Sequence, residues 1–123
     1  MDPRRARGAA GEAAAAEMLA ALGYEIVERN FRTRYGELDI VAADRECLVF
    51  CEVRARVGRA GIAAALDSIG PGKQLQLRKM AREWFRLRAD GKPRTNAVRF
   101  DAVAVSLTPD GRPLALEHVR DAF

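Results

Sequence analysis

Carboxylates and cations interrupt the apolar pattern of the chain at a few positions from which they could act together. The acids are Glu12, Glu37, Asp39 and Glu52, and the cations are Arg54, Arg56 and Lys73. Burying such groups is unfavourable unless they are paired or bind a metal. Two or three carboxylates brought together offer the hard oxygen ligands that suit Mg²⁺ or Mn²⁺. A divalent-cation site for phosphate chemistry is therefore one interpretation of these residues.

A structural ion-pair network is the competing interpretation, in which Glu37 and Glu52 pair with Arg54 and Arg56. Other chemistries find little support. The chain has one histidine, His118, which argues against a Ser-His-Asp triad and against a zinc site of the His/Cys kind. It also lacks a Walker A motif and a dinucleotide-binding fingerprint.

The acids Asp39 and Glu52 lie on two predicted strands joined by a short turn. Residues 37–43 alternate, which places Leu38, Ile40 and Ala42 on one face and Glu37, Asp39 and Val41 on the other. Residues 47–56 are rich in β-branched and aromatic side chains, which favours a strand. The faces of this second strand are Leu48, Phe50, Glu52 and Arg54, against Cys47, Val49, Cys51 and Val53.

The length of the turn at residues 44–46 decides whether the two acids meet. An even loop would place Asp39 directly opposite Glu52, and Glu37 opposite Arg54. An odd loop without a bulge would put the carboxylates on opposite faces of the sheet. Facing carboxylates repel each other, so the even register requires a positive charge between them.

Two predicted helices direct polar residues toward this sheet. One runs from about Ala9 to Leu22 and ends at Gly23; the other begins at Pro71 and runs to about Ala89. Their apolar stripes are Ala15, Ala16, Leu19 and Leu22 in the first helix and Leu77, Met80, Ala81, Trp84 and Leu87 in the second. By helical spacing, Glu12 and Lys73 extend these stripes at the start of each helix. A carboxylate at residue 12 is then either a solvated first-turn residue or an inward-pointing functional group.

The remaining elements complete an α/β pattern. Residues 24–32, 96–107 and 114–119 are predicted strands, and residues 57–72 are irregular with a short turn at 63–67. The order is helix, three strands, helix, two strands, which indicates a mixed sheet flanked by helices. We expect a single domain over residues 1–123.

The charge balance favours an anionic partner. The 123 residues carry 21 Lys and Arg against 17 Asp and Glu, a net charge of +4, which points to nucleic acid. No apolar run is long enough to span a membrane and no signal peptide is evident, so a cytoplasmic protein without membrane contact is expected. Cys47 and Cys51 lie four residues apart on one strand, about 13 Å, too far for a disulfide.

Several other residues are predicted to be structural. Trp84 and Phe100 are expected in the core, and Arg99 with Asp101 as a buried pair. His118 is expected on the surface or at a strand edge. Basic side chains on the outer face of the second helix, Arg78, Lys79, Arg82 and Arg86, either face solvent or contact DNA.

The motifs of the chain resemble the YraN-type family of small bacterial proteins. The segments that carry the resemblance are Gly11-Glu12, Gly23-Tyr24, Arg29 to Arg32, Gly36 to Val41, Val49 to Arg56, Lys73-Gln74, Arg99 to Asp101 and Asp121 to Phe123. That family is similar to the restriction-endonuclease-like, PD-(D/E)xK superfamily and to archaeal Holliday-junction resolvases. The resemblance implies a restriction-endonuclease-like mixed sheet flanked by helices and a nuclease acting on DNA, including branched or structured DNA.

The resemblance also implies roles for particular residues. Asp39 and Glu52 would be ligands of Mg²⁺ or Mn²⁺, with the main-chain carbonyl of Val53 as a third ligand. Glu12 would act at the same centre through water, and Glu37 would orient the ligands. The cations expected to hold nucleic-acid phosphates are Arg34, Arg56, Arg78, Lys79 and Arg82.

Arg54 departs from the superfamily pattern, which usually has lysine at this position. Arginine stays protonated, so Arg54 can stabilise charge but cannot act as a general base. Three interpretations follow: the metal alone activates water, Lys73 supplies the ammonium, or catalysis is lost and nucleic-acid binding is retained. An interaction protein with structural ion pairs is the alternative from another class. For the enzyme, cutting two strands favours a homodimer.

Overall fold

The computed structural model describes residues 2–58, 61–88 and 97–123. Their elements are α1 (Pro3–Ala21), β1 (Glu25–Thr33), β2 (Gly36–Ala43), β3 (Cys47–Val57), α2 (Gly61–Asp67), α3 (Pro71–Leu87), β4 (Ala97–Leu107) and β5 (Pro113–Val119). The predicted order of elements is confirmed. The short helix α2 adds to it, at a position where only a turn was predicted.

The five strands form one sheet in the order β1-β2-β3-β4-β5. Neighbours are antiparallel except β3 and β4, which run parallel from Cys47 beside Ala97 to Val57 beside Leu107. A parallel pair needs a long crossover, which here contains α2 and α3. The predicted mixed sheet flanked by helices is confirmed and is consistent with a restriction-endonuclease-like fold.

Helices α3 and α1 cover opposite faces of the sheet. The cluster on the α3 side is built around Phe50, Leu77, Met80 and Trp84. The cluster on the α1 side is built around Ala15, Leu19, Ile40, Val49 and Val103. Trp84 and Phe100 are buried, as predicted. Both cysteines are free thiols, also as predicted.

The predicted start of α3 is confirmed, whereas that of α1 is not. Helix α1 starts at Pro3 rather than Ala9, because the Asp2 side chain accepts the N–H of Arg4 at 2.9 Å and caps the helix. Helix α3 starts at Pro71 as predicted and ends at Leu87. The predicted end at Ala89, and Asn96 at the start of the next strand, lie outside the described residues.

Two residues assigned to the buried stripes are exposed instead. Leu22 is 61% exposed and Leu87 is 46% exposed. Leu22 is the C-cap of α1, where the chain turns toward β1, and Leu87 is the last residue of α3. Helical periodicity extends to these positions, but the packing against the sheet stops before them. None of the helices in the described ranges is long and apolar enough to cross a membrane.

Candidate active site

The β2–β3 turn sets the register that brings the two acids together. The backbone N–H of Asp44 donates to the Cys47 carbonyl at 3.0 Å, and the Asp44 carboxylate accepts the N–H groups of Glu46 and Cys47. The loop is thus two residues long, an even count. Ile40 pairs with Cys51, so the next position along places Asp39 opposite Glu52, as predicted for an even loop.

The alternation predicted for β2 is wrong at Leu38. Ile40 and Ala42 pack on the α1 side, as one face of the strand, but Leu38 packs with Val41 on the α3 side. The change of face occurs at Asp39. On the neighbouring strand, Asn30 lies between the pairs Arg29–Ile40 and Phe31–Leu38 and has a left-handed backbone, with φ of 54°. The left-handed residue in β1 thus lies opposite the point where β2 breaks its alternation. A period of two along β2 alone cannot predict this break.

Asp39 and Glu52 are both buried, at 5% and 4% exposure. The backbone N–H of Val53 donates to Asp39 Oδ2 at 2.9 Å. Glu52 Oε1 lies 3.6 Å from Lys73 Nζ and 3.3 Å from Arg54 Nε. Lys73 therefore supplies the positive charge that the even register requires, from the first turn of α3.

The hydrogen bonding of this cluster is incomplete. Glu52 Oε2 is fully buried and accepts no hydrogen bond from the described residues. Arg54 Nε is within ion-pair distance of Glu52, but its N–H is not aligned for a hydrogen bond and has no other partner among them. Buried polar atoms are rarely left unpaired in folded proteins. This site thus retains unused capacity to bind a cation and an anion.

Glu12 reaches the same cluster because α1 lies very close to β3. A Cβ atom at Gly11 would come within 2.7 Å of the Ala55 Cβ, so only glycine permits this approach. The following residue, Glu12, then lies close enough to Asp39 for the charge of Asp39 to raise the Glu12 pKa. Glu12 is partly buried, so of the two interpretations for residue 12 the inward-pointing one is confirmed.

The electrostatics of the three acids favour their protonated forms. Burial, together with the charges of Asp39 and Glu37, raises the pKa of Glu12 to about 7. Burial and the Asp39 charge raise the pKa of Glu52 to about 8, although Lys73 and Arg54 oppose this. Burial also raises the pKa of Asp39, against the hydrogen bond from Val53. Carboxylates held this way would ionise more readily beside a bound cation.

Gln76 positions Lys73, a role that sequence analysis missed. Its Nε2 donates to the Tyr35 carbonyl at 2.9 Å, and its Oε1 accepts from Lys73 Nζ at 3.3 Å. A Cβ atom at Gly36, where φ is 144°, would lie 2.5 Å from Gln76 Nε2. The sequence offered one signal for such a close approach, the glycine at position 36, directly before the predicted strand at 37–43.

The predicted ion-pair network forms only in part. Glu52 pairs with Arg54, but Glu37 pairs with Arg32 at 3.0 Å, with both side chains well exposed. Arg56 donates to the Ala55 carbonyl. Glu37 therefore lies at the rim of the cluster, where it lines a groove of about 550 Å³ together with Glu12.

The predicted nucleic-acid contacts are spread over several surfaces. Arg56 lies near the end of β3, where it lines a groove together with Val53 and Arg54. Arg34 and Lys79 both lie over the Tyr35 ring, at 4.9 and 4.1 Å, and Arg78 lies 4.7 Å over the Phe100 ring. Arg82 is on the exposed face of α3. The structure therefore does not bring these five side chains together.

A second buried acid, Asp101, belongs to a separate network. Arg99 donates to both of its oxygens at 2.8 and 2.9 Å, which confirms the predicted structural pair. His118 Nε2 lies 2.7 Å from Asp101 Oδ2, and its side chain is only 10% exposed. His118 is on the edge strand β5, but the prediction of a surface position is wrong because its ring turns inward to Asp101.

The oxygen ligands near Asp39 suit a hard cation. Asp39 and Glu52 supply carboxylates, and the Val53 carbonyl projects toward the β2 side, as its N–H does, because both groups of a strand residue point to the same neighbour. Over the described ranges, no three or more His, Cys, Asp or Glu side chains are arranged to hold a metal. Two carboxylates, a carbonyl and water form the kind of set that Mg²⁺ takes.

Comparison with known proteins gives one consistent result. The model of "Uncharacterised protein family UPF0102" matches residues 11–105. A UPF0102 protein of Rhodococcus jostii is 44% identical over 96% of both chains. A UPF0102 protein of Frankia casuarinae is 44% identical over the full length of both chains, and one of Streptomyces griseus is 42% identical over 98% of each.

Proposed function

The chain belongs to the UPF0102 family, also called the YraN family, and from its site we propose that it is a metal-dependent nuclease that hydrolyses phosphodiester bonds of DNA. The family assignment confirms the resemblance noted in the sequence. The activity is argued from the acid cluster, since the family description states no reaction.

One observation supports the proposal most strongly: Glu52 Oε2 is buried beside a second buried carboxylate and has no hydrogen-bond donor among the residues that the structure describes. Leaving a buried acceptor unsatisfied is unfavourable by about 1–3 kcal/mol. A chain that needed only stability would have paired this oxygen or replaced Glu52 with an apolar residue. A divalent cation between Asp39 and Glu52 would satisfy it and neutralise both acids.

We assign the ligands to Asp39, Glu52 and the Val53 carbonyl, with Mg²⁺ or Mn²⁺ as the ion. Such an ion, when bound, lowers the pKa of a coordinated water and neutralises charge that develops on a phosphate. Glu12 is placed to accept a proton near Asp39, and its pKa of about 7 suits a group that exchanges protons at neutral pH.

Lys73 and Arg54 divide the work that a single lysine usually performs. Both lie against Glu52 Oε1, and about a quarter of each side chain is exposed. Arg54 remains charged and holds a phosphate oxygen. Lys73 can lose a proton as well as donate one, so we assign to it the positioning of the attacking water.

A nucleic-acid-binding protein without catalysis is the second candidate, and Arg54 is the observation that favours it. Arginine at this position cannot remove a proton from water. If Lys73 does not replace the missing lysine, the protein would bind DNA and leave it intact.

The test is cleavage of plasmid, single-stranded and four-way-junction DNA in Mn²⁺, combined with Mn²⁺ titration by calorimetry. We expect the wild type to cut, and Asp39→Asn and Glu52→Gln to lose about 10²-fold or more in rate together with Mn²⁺ binding. If the Lys73 amine positions the attacking water, Lys73→Gln should lose a similar factor in rate. Arg54→Lys should retain activity.

Glu12→Gln has a matched control on the same helix in Glu17→Gln, since Glu17 is exposed and away from the cluster. We expect a loss of rate for the first and none for the second. Absence of both Mn²⁺ binding and cleavage in the wild type would overturn the nuclease. DNA binding without cleavage would select the second candidate.

A further inference from the structure

A groove of about 640 Å³ lies between the first turns of α1 and the end of β3. Its lining residues are Arg4, Arg7, Gly8, Val53, Arg54, Ala55, Arg56 and Val57. We call it the α1–β3 groove. Four of its lining side chains are arginines and none is acidic. Sequence analysis could not place Arg4 and Arg7 here, because it began the helix at Ala9.

The positive charge of this groove is not balanced by its surroundings. Within residues 2–58, 61–88 and 97–123, Arg4, Arg7 and Arg56 form no ion pair with a carboxylate, and Arg54 has only Glu52. Arg4 also lies in the first turn of α1, where the helix dipole disfavours cations. Unbalanced positive charge of this kind favours the binding of an anion in the groove.

The outer face of α3, the other basic surface, differs in this respect. Arg86 pairs with Glu83 at 2.7 Å, and Arg78 and Lys79 lie over aromatic rings. Three of the four cations of that face are therefore engaged, and within the described ranges only Arg82 among them has no ion pair or ring contact. In the α1–β3 groove, the side chains of Arg4 and Arg7 have no such contact with another described residue.

The lining of the groove favours a phosphate backbone over an unpaired single strand as the anion. It contains no aromatic ring, and its uncharged part is Gly8, Val53, Ala55 and Val57. Proteins that hold single strands stack bases on aromatic side chains, which this groove cannot do. Guanidinium groups bind phosphates, and phosphate contacts alone carry no sequence information.

The groove is continuous with the candidate active site. Val53 and Arg54 belong to both, and Gly8 also lines the 550 Å³ groove that contains Glu12 and Glu37. A backbone lying along the arginines would therefore pass beside the acids.

We propose that the α1–β3 groove binds the sugar–phosphate backbone of duplex DNA, independently of sequence, and guides it to the acid cluster. The part of this inference that brings the DNA to the acid cluster rests on the proposed function. Binding in the groove itself requires no metal and no cleavage.

The test is binding of a fluorescently labelled duplex of about 20 base pairs in EDTA, followed by anisotropy over a range of salt concentrations. The double variant Arg4→Gln/Arg7→Gln is compared with Arg78→Gln/Arg82→Gln, which removes the same charge from α3. We expect the first pair to weaken binding about tenfold or more at about 100 mM salt and to reduce the salt slope by about 2. The α3 pair should change the affinity less than about twofold.

Two further comparisons complete the test. Arg56→Gln, on β3, should reduce the slope by about 1, so the result does not depend on the folding of α1 variants alone. Unrelated duplex sequences should bind equally, and a single strand of the same length should bind more weakly. Equal losses for the two double variants, or a preference for the single strand, would overturn the inference.

The two proposals can fail separately. If the wild type cuts DNA but the α1 variants bind as tightly as it does, the groove inference fails and the nuclease stands. If the variants lose affinity as expected but the wild type cuts nothing in Mn²⁺, the nuclease fails and the groove stands.

Discussion

Two clusters of buried acids lie in this sheet, and they are stabilised in opposite ways. Asp101 on β4 has no exposed surface, and each of its oxygens accepts more than one hydrogen bond. The donors are Arg99, His118 and the backbone N–H of Asp121, at 2.7 to 2.9 Å. Burial opposes ionisation of Asp101, but these bonds outweigh it and hold the pKa below its usual value.

The cluster of Asp39 and Glu52 is as deeply buried but much less well bonded. Asp39 accepts one backbone N–H, and in the described part of the chain no group donates a hydrogen bond to Glu52 Oε2. Burial raises the pKa of both acids, and a neighbouring carboxylate adds to the effect: Asp39 raises the pKa of Glu52, and Glu37 raises that of Asp39. Similar burial thus goes with opposite pKa shifts, because the carboxylate of Asp101 is fully hydrogen-bonded and those of Asp39 and Glu52 are not.

Removing the Asp101 carboxylate should have the largest effect on stability. Asp101→Asn leaves the Arg99 guanidinium, only 10% exposed, without its bidentate partner. Breaking a buried pair of this kind reduces the free energy of unfolding by about 3 kcal/mol or more. Urea denaturation at pH 7 measures it, and Asp110→Asn, at an exposed turn, provides the control. A loss as small as that of the control would show that the network does not stabilise the fold.

The second largest effect is expected in the pH dependence of stability, which should differ between the two clusters. Glu52 and Glu12 titrate near 8 and 7 in the folded protein but near 4.5 unfolded, so the folded state binds more protons between these values. Stability in EDTA therefore falls as pH rises from about 4.5 to about 8. Asp101, with a lowered pKa, adds stability that is lost only as pH falls below its ordinary value of 3.8.

Denaturation midpoints from pH 3 to pH 9 would check this profile. The Glu12→Gln variant should flatten the neutral part of the curve and leave the acid limb unchanged, whereas Asp101→Asn should do the reverse. A wild-type stability that rises from pH 5 to pH 8 would contradict the raised pKa values.

The acid cluster could be predicted from the sequence because the position of each residue follows from the pattern of its own element. Asp39 and Glu52 lie on adjacent strands of one hairpin, so loop parity decides whether they meet. Glu12 and Lys73 each extend a helical stripe, which gives their direction. The break in alternation at Leu38 was missed, because it accompanies the left-handed backbone of Asn30 on another strand.

The Asp101 network could be predicted only for Arg99, two residues away. His118 and Asp121 approach it through the β4–β5 pairing and the turn that follows, so their roles depend on register between separate elements. The α1–β3 groove was missed for a related reason. A helix start set by the Asp2 cap adds two turns, and these place Arg4 and Arg7 opposite β3.

The smallest expected effect is also the most selective. Glu52→Gln replaces a buried carboxylate by an amide that can donate to Asp39, so at pH 8 in EDTA we expect the free energy of unfolding to rise by about 1 kcal/mol. At pH 5, where folded Glu52 is already protonated, the gain should vanish. Urea denaturation at both pH values measures the difference, with Asp101→Asn destabilised at each. A loss for Glu52→Gln as large as that for Asp101→Asn would make Glu52 a structural partner of Lys73 and Arg54, and the two clusters would then serve the same purpose.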